Sequence, residues 1–508
     1  MATVLFRNAA LLTMDPTRPR AQAVLVRDDR IEWVGMDADA PAGSADRVID
    51  CGGATLIPGL NDAHIHLLAY ASSLSHLDMS RGRAVSIGDI QALIRDRAGA
   101  MPPGRWVRGR GYDDAYLAEG RHPTRWDLDV ATLEHPVRLD HRSGHALVLN
   151  SRGLELAGIG PDTPDPPDGV IERDESGQPT GLLLEMGGYI SNRLREHSDP
   201  AELRKSLEEA CCNLLKWGVT SLQDASPEND LARWETLKGM QVEGVVHQCL
   251  TVMPGIRHLR SFVDSGLSFS LGGSGGARCR LGHAKLMVAM TTGAIYPSEE
   301  EIGSLIAEAH ALGFPVAVHA VEEEAIMAVL RMLRQSDTSF SDRIEHCSEA
   351  TPGVQVLLRE SGVTVVTQPG FIYESGERYA AQVPAAVQPW LYPLRSLLDM
   401  GLHLAAGSDA PVASPDPWRG IYAAVTRRDA SGLALHSELG LSLEEALHLY
   451  TVGAAGASGE GGVTGMVRPG MTADLALLDR DITRVEPDGL LSCGASLTMV
   501  GGEVVWEG

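Results

Sequence analysis

Residues 56–70 read LIPGLNDAHIHLLAY. An apolar run meets the Pro58-Gly59 turn signal, and then two histidines follow one residue apart. In an extended strand successive side chains alternate faces, so His64 and His66 point one way and Ile65 packs the other way. Two imidazoles on one strand face make half a metal site. By itself the pair is more often two partly exposed polar residues at a strand end, and the decision rests on what the other strands carry.

Working outward, residues 1–55 alternate short β-rich runs with turns: TVLFRNAALLTM, AQAVLVRDDRIEWVGM and RVIDCGGATLI. ADLALLDRD and SLTMVGGEVVWEG at the other end of the chain have the same character, which predicts that both ends pair into one small β domain, residues 1–55 with 466–508. The section at about 71–205 is rich in Pro, Gly and charge, yet aliphatic and aromatic residues recur throughout. It reads as a folded insertion. From Glu202 onward ELRKSLEEACCNLLKWG has helical spacing, stops at Gly218 and runs into the strand VTSLQDA. This helix–Gly–strand unit recurs, and counting the first strand there are about eight, the number that closes a parallel barrel. The predicted fold class is therefore α/β: a (β/α)8 TIM-type barrel over 56–465, with the insertion after its first strand and a small β-sandwich domain formed by both termini.

Chemistry in such a barrel sits where the strands end. Here they end in His64 and His66, Asp224, Lys285, His319, His346, Gln368 and Asp409. Each has an ordinary alternative. Lys285 could lay its stem on apolar neighbours and reach a carboxylate. His319 or His346 alone could be a satisfied core histidine, and Asp409 could cap the next segment. His283, on the same face as Lys285, reads as a deeper core group, and Glu322–Glu324 as a solvated helix start. The run GGSGG at 272–276 lacks a following GK[ST] and reads as a turn, not a phosphate loop.

Composition narrows the partners. The chain has 508 residues, 44% hydrophobic and 22% charged, an ordinary globular balance. A net charge of −24 without a basic patch argues against nucleic acid and anionic membranes. Seven cysteines with no CxxC spacing read as reduced thiols, which predicts a cytoplasmic protein. The N-terminal stretch carries Arg7 and Asn8 inside its apolar portion and makes a poor signal peptide.

PGLNDAHIHL, AKLMV, VAVHA, RIEHC, AAGSDAPV and LSLEEALHLYTVGAAGASG…GMVRPGMTADLALLDRD together resemble the amidohydrolase superfamily over nearly the full length. WVRGRGYDD, HPTRWDLD and SGHALVLNSRGLELAGI are similar to the branch containing N-substituted formamide deformylases (amidohydrolase family 3 type). The resemblance implies a metal-dependent hydrolase cleaving an amide, formamide or related non-peptide C–N bond by a metal-bridging hydroxide. It implies two divalent ions, usually zinc, with His64, His66 and Asp409 on one and His319 and His346 on the other. Lys285, carboxylated by CO2, would bridge them, and Asp409 would shuttle the catalytic proton. The chain departs from the family in HAVEEEAI after the fifth-strand histidine and in Met290-Thr291-Thr292-Gly293 after the lysine strand; both bear on the substrate. Tyr112 and His145 are the candidate substrate contacts. The expected partner is a small amide-type molecule, with a homo-oligomer left open. A deaminase of a ring or amidine carbon, or a degenerate binding protein, are the competing readings.

Overall fold

The computed structural model describes residues 3–41, 43, 45–166, 169–194, 200–269, 278–290 and 293–508. The glycine-rich run at 272–276 and the departure at Thr291 and Thr292 lie outside these. The chain divides into two compact units, Met1–Leu67 with Glu208–Gly508, and Leu68–Leu207.

In the first unit the two ends of the sequence meet in one sheet. Thr55–Pro58 pairs antiparallel with Leu475–Leu478, placing Leu56 opposite Leu477, and Ala495–Val500 and Glu503–Glu507 extend the same sheet. A second sheet orders Arg30–Gly35, Ala23–Arg27, Thr3–Arg7 and Arg47–Asp50. Both sheets feed one apolar cluster that includes Phe6, Val24, Ile31, Leu56, Leu475 and Met499. Each such side chain contributes roughly 1.5–3 kcal/mol when fully buried.

The remainder of this unit alternates helix and parallel strand. Leu60–Ile65, Val219–Asp224, Cys249–Val252 and Cys279–Leu281 form one parallel sheet; Ala284–Met287, Val316–Ala320, Arg343–His346, Thr364–Thr367 and Leu404–Ala406 form another. The sequence predicts one closed barrel, whereas the ladders here divide into two sheets. The division falls at Gly282-His283, which splits one predicted strand in two: its first half pairs with Cys249–Val252 and its second with Val316–Ala320. Gly282 sits so close to its neighbour that an added Cβ would meet Thr251 Cγ2 at 2.6 Å. At the opposite side Asp409 N–H donates to His64 O at 2.7 Å and His66 N–H to Ala410 O at 2.9 Å.

Local signals explain the helices between these strands. Pro200–Lys216 stops before Gly218, whose φ of +82° is open to glycine at little cost. Glu299–Ala311 starts on a Ser298–Glu301 capping box, and Pro352–Ser361 begins on proline and ends at left-handed Gly362. Glu323–Leu333 buries Ile326, Val329, Leu330 and Leu333 along one stripe. Glu322 is its N-cap; Glu322 and Glu323 are half-buried and Glu324 is exposed, so the predicted helix start is only partly solvated.

The second unit holds a six-stranded sheet ordered Val170–Arg173, Pro179–Leu184, Ala146–Leu149, Val137–His141, Val107–Tyr112 and Leu77–Asp78. Its strands alternate between two apolar clusters: Ala146 and Val148 enter one, Leu147 and Leu149 the other. Among the described residues no helix is long and apolar enough to cross a membrane.

Candidate metal centre

Strand Leu60–Ile65 ends at the histidine pair, and the turn after Leu404–Ala406 is held against it. Gly407 makes that approach possible, since a Cβ there would overlap the backbone nitrogen of His64. Asp62 accepts from Ser408 N–H at 2.8 Å and from Ser408 Oγ at 2.6 Å, which fixes the start of the turn. Asp409 then takes a φ of 59°, and His346 at the end of its strand takes 69°. Left-handed backbone at a non-glycine residue costs on the order of 1–3 kcal/mol, and here both residues direct their side chains into one cluster.

The Asp409 Oδ1 atom lies 3.0 Å from His66 Nε2 and 3.5 Å from His64 Nε2. Ring centroids of His64 and His66 are 5.4 Å apart, those of His64 and His346 4.8 Å, and those of His346 and His319 4.3 Å. The structure thus brings His64, His66, His319, His346 and Asp409 together. Lys285 is 1% exposed, its Nζ has no hydrogen-bond partner among the described residues, and the charges of Glu345 and Asp409 act on it.

Three of these imidazoles, those of His64, His66 and His346, are held by Nδ1. His64 Nδ1 bonds Glu345 Oε2, His66 Nδ1 lies 3.1 Å from Ser226 Oγ, and His346 Nδ1 lies 2.8 Å from Gln368 Oε1. The carboxylate and the amide oxygen only accept, so His64 and His346 carry their proton on Nδ1 and turn the Nε2 lone pair inward. This is how metal-ligating histidines are oriented. His64 Nε2 is buried, with no hydrogen-bond partner among the described residues.

The electrostatics favour neutral donors. Burial drives the His64 imidazole well below its usual range and His346 down to about 4. Burial also lowers the Lys285 ammonium to about 8 against the opposing pull of Glu345 and Asp409. Burial by itself would raise the Asp409 carboxyl, but the His66 hydrogen bond and the neighbouring imidazoles hold it far below the carboxylate range. His66 is the exception: burial opposes its charge, yet the Asp409 bond raises it. Imidazole nitrogens, a carboxylate and an orphaned buried amine are a donor set that fits a borderline divalent ion such as zinc.

The other strand-end residues resolve into ordinary roles. Asp224 accepts from Leu67 N–H at 2.8 Å, Ser226 N–H at 3.1 Å and Asn229 Nδ2 at 2.8 Å. His283 is a core histidine, its Nε2 2.9 Å from Ser341 O. Tyr112 and His145 lie in the second unit. Tyr112 is buried with its hydroxyl 3.1 Å from His122 Nδ1; His145 is exposed, with Nδ1 2.9 Å from Glu185 Oε1. That unit also gathers Asp113, Asp114 and His141. Ser143 N–H donates to His141 Nδ1 at 3.2 Å, so the neutral ring carries its proton on Nε2, 3.1 Å from Asp114 Oδ1. The single in-plane lone pair of the ring is thus taken by Ser143.

Sequence reasoning missed Glu345, Arg343, Gln223 and Ser226. The signal was the run RIEHC: two charges two residues apart in a strand lie on one face, and inside a core such a pair must serve something.

Residues 47–506 match the family described as Amidohydrolase family. The chain is 31% identical to the N-substituted formamide deformylase of Arthrobacter pascens, covering 100% of this chain and 99% of that protein. It is 26% identical to the putative amidohydrolase YtcJ of Bacillus subtilis (strain 168), with 99% of each covered. Among solved structures, an uncharacterized metal-dependent hydrolase from Pyrococcus horikoshii OT3 superposes with a TM-score of 0.79 at 24% identity, covering 96% of this chain and 99% of that one. That likeness makes the fold a TIM-barrel-type α/β fold.

Proposed function

The chain belongs to the amidohydrolase family and is a metal-dependent enzyme acting on carbon–nitrogen bonds other than peptide bonds; from that premise we propose that it hydrolyses a small-molecule amide, formamide or related bond with two divalent ions, zinc foremost. One observation carries the reading: a buried carboxylate, Asp409, faces the Nε2 atoms of His64 and His66, whose Nδ1 atoms are tied elsewhere. His64, His66 and Asp409 would hold one ion, His319 and His346 the other, and Lys285 would join them as a CO2-derived carbamate. Ions held by these residues would polarise a carbonyl oxygen and bring the pKa of a water toward neutrality. Asp409, ionised at neutral pH, accepts the proton of the attacking water and delivers it to the leaving nitrogen. The C–N bond then breaks to a carboxylate and an amine. Full-length identity of 31% to a formamide deformylase supports a formamide within this class.

The same reading treats the two parallel sheets as one eight-membered barrel over 56–465, with the split strand counted once and the seam at His64–Asp409 closing it. Residues 1–55 and 466–508 make its companion β-sandwich, and about 71–205 its insertion. Seven free thiols are consistent with a cytoplasmic enzyme.

The test is a screen of zinc-loaded protein against N-acyl amines, N-formyl compounds and cyclic amides, with amine, carboxylate and ammonia measured separately. Amine released together with carboxylate is expected. Ammonia from a ring or amidine carbon would replace the reading with a deaminase, and a protein that takes up no ion and turns over nothing would be a binding protein.

A further inference from the structure

Behind His64 lies a buried charge pair. Arg343 and Glu345 alternate on strand Arg343–His346, and neither side chain has any solvent exposure. Arg343 Nε donates to Glu345 Oε1 at 2.5 Å, Nη1 to Gln223 Oε1 at 2.6 Å and Ala457 O at 3.2 Å, and Nη2 to Ala63 O at 2.8 Å. The second oxygen of Glu345 accepts from His64 Nδ1.

A buried ion pair is a poor source of stability, because desolvation offsets the attraction and well-packed apolar residues do as well. Its arrangement here has a direction. Arg343 grips one carboxylate oxygen and the carbonyl of Ala63, the residue before His64. The other carboxylate oxygen is left for the imidazole.

We propose that Glu345 is the positioning residue of the metal centre: held by Arg343, it keeps the His64 proton on Nδ1, and so makes Nε2 of His64 the donor that faces Asp409. The inference rests on the metal-dependent reading above. The strand that supplies His346 thereby also aims His64, so a single segment sets donors on two strands.

The experiment measures cobalt(II) as the probe: stoichiometry, affinity by chelator competition, and the visible absorption of the bound ion. Removing an outer partner of a metal-bound histidine weakens binding by roughly 10- to 100-fold. Glu345→Gln keeps an acceptor for Nδ1 and should lose about 10-fold, whereas Glu345→Leu should lose about 100-fold and shift the absorption band. Because Leu at 345 leaves the Arg343 guanidinium unpaired, Arg343→Met/Glu345→Leu removes the pair as a unit and should reproduce the loss in a folded protein. Glu345→Gln carries the test if the larger changes do not fold. Wild-type affinity and spectrum in the folded variants would overturn the inference and leave the metal reading standing. If wild-type protein binds no cobalt, the metal reading itself falls and this inference with it; if His64→Ala keeps full stoichiometry, the assignment of His64 as a ligand falls, and this inference with it, while the metal reading stands.

Discussion

In the proposed mechanism Asp409 and Lys285 are the two residues on which the chemistry turns, and they predict different failures. Asp409→Asn keeps an oxygen beside His66 and should retain most of the bound metal, yet lose hydrolysis by roughly 100- to 10,000-fold with its proton shuttle. Turnover near wild type, measured at matched metal content, would remove Asp409 from the mechanism. Lys285 is a buried amine with no hydrogen-bond partner among the described residues, already pushed down to about 8 by desolvation. In the proposed two-ion centre an ammonium would be repelled by both dications, so the residue would have to be neutral or anionic there. Lys285→Ala should bind one ion or none, and a short carboxylate in solution should restore part of the second; two ions retained in the bare variant would sink the carbamate. The positions of both residues were legible because strand ends were legible. Glu345 was not, because its partner is 281 residues away in sequence.

At the scale of elements, the centre depends on how closely the Leu60–Ile65 strand and the 407–410 turn approach. Gly407→Ala would drive a methyl group into the His64 backbone, and overpacking of this kind costs roughly 1–3 kcal/mol. The variant should melt several degrees lower and bind metal more weakly. Gly353→Ala, where a Cβ meets nothing within 4 Å, is the control. Equal melting temperatures for the two would show that the close approach is not required. The helix–Gly–strand rhythm was readable because each unit carries its own stop. The break at Gly282-His283 was not, since a glycine in an apolar run marks a bend only when a neighbouring strand crowds it.

For the whole molecule, neutral histidines in both units, His283 buried and His76 half-buried, weigh on stability in acid. Burial lowers His283 in the first unit and His76 in the second to about 3 from 6.5. Between those values the unfolded chain binds protons that the native one refuses, so stability rises with pH there. The contribution is complete above about 6.5 and is lost as pH falls toward 3. The melting temperature of metal-free protein should therefore drop from pH 7 to pH 5, and His283→Asn should flatten that slope; an unchanged slope would mean His283 is not held neutral. By itself the sequence determined the alternation of helix and strand and the candidate ligand types at the strand ends, because these follow from local periodicity and from which side chains can donate to a metal. Only the tertiary structure decided which nitrogen of His64 faces Asp409, that His283 serves the core, and that His141 is engaged by Ser143 and Asp113 by Arg142. Tautomer, burial and hydrogen-bond partner are set by atoms brought together from distant segments, and no spacing along the chain encodes them.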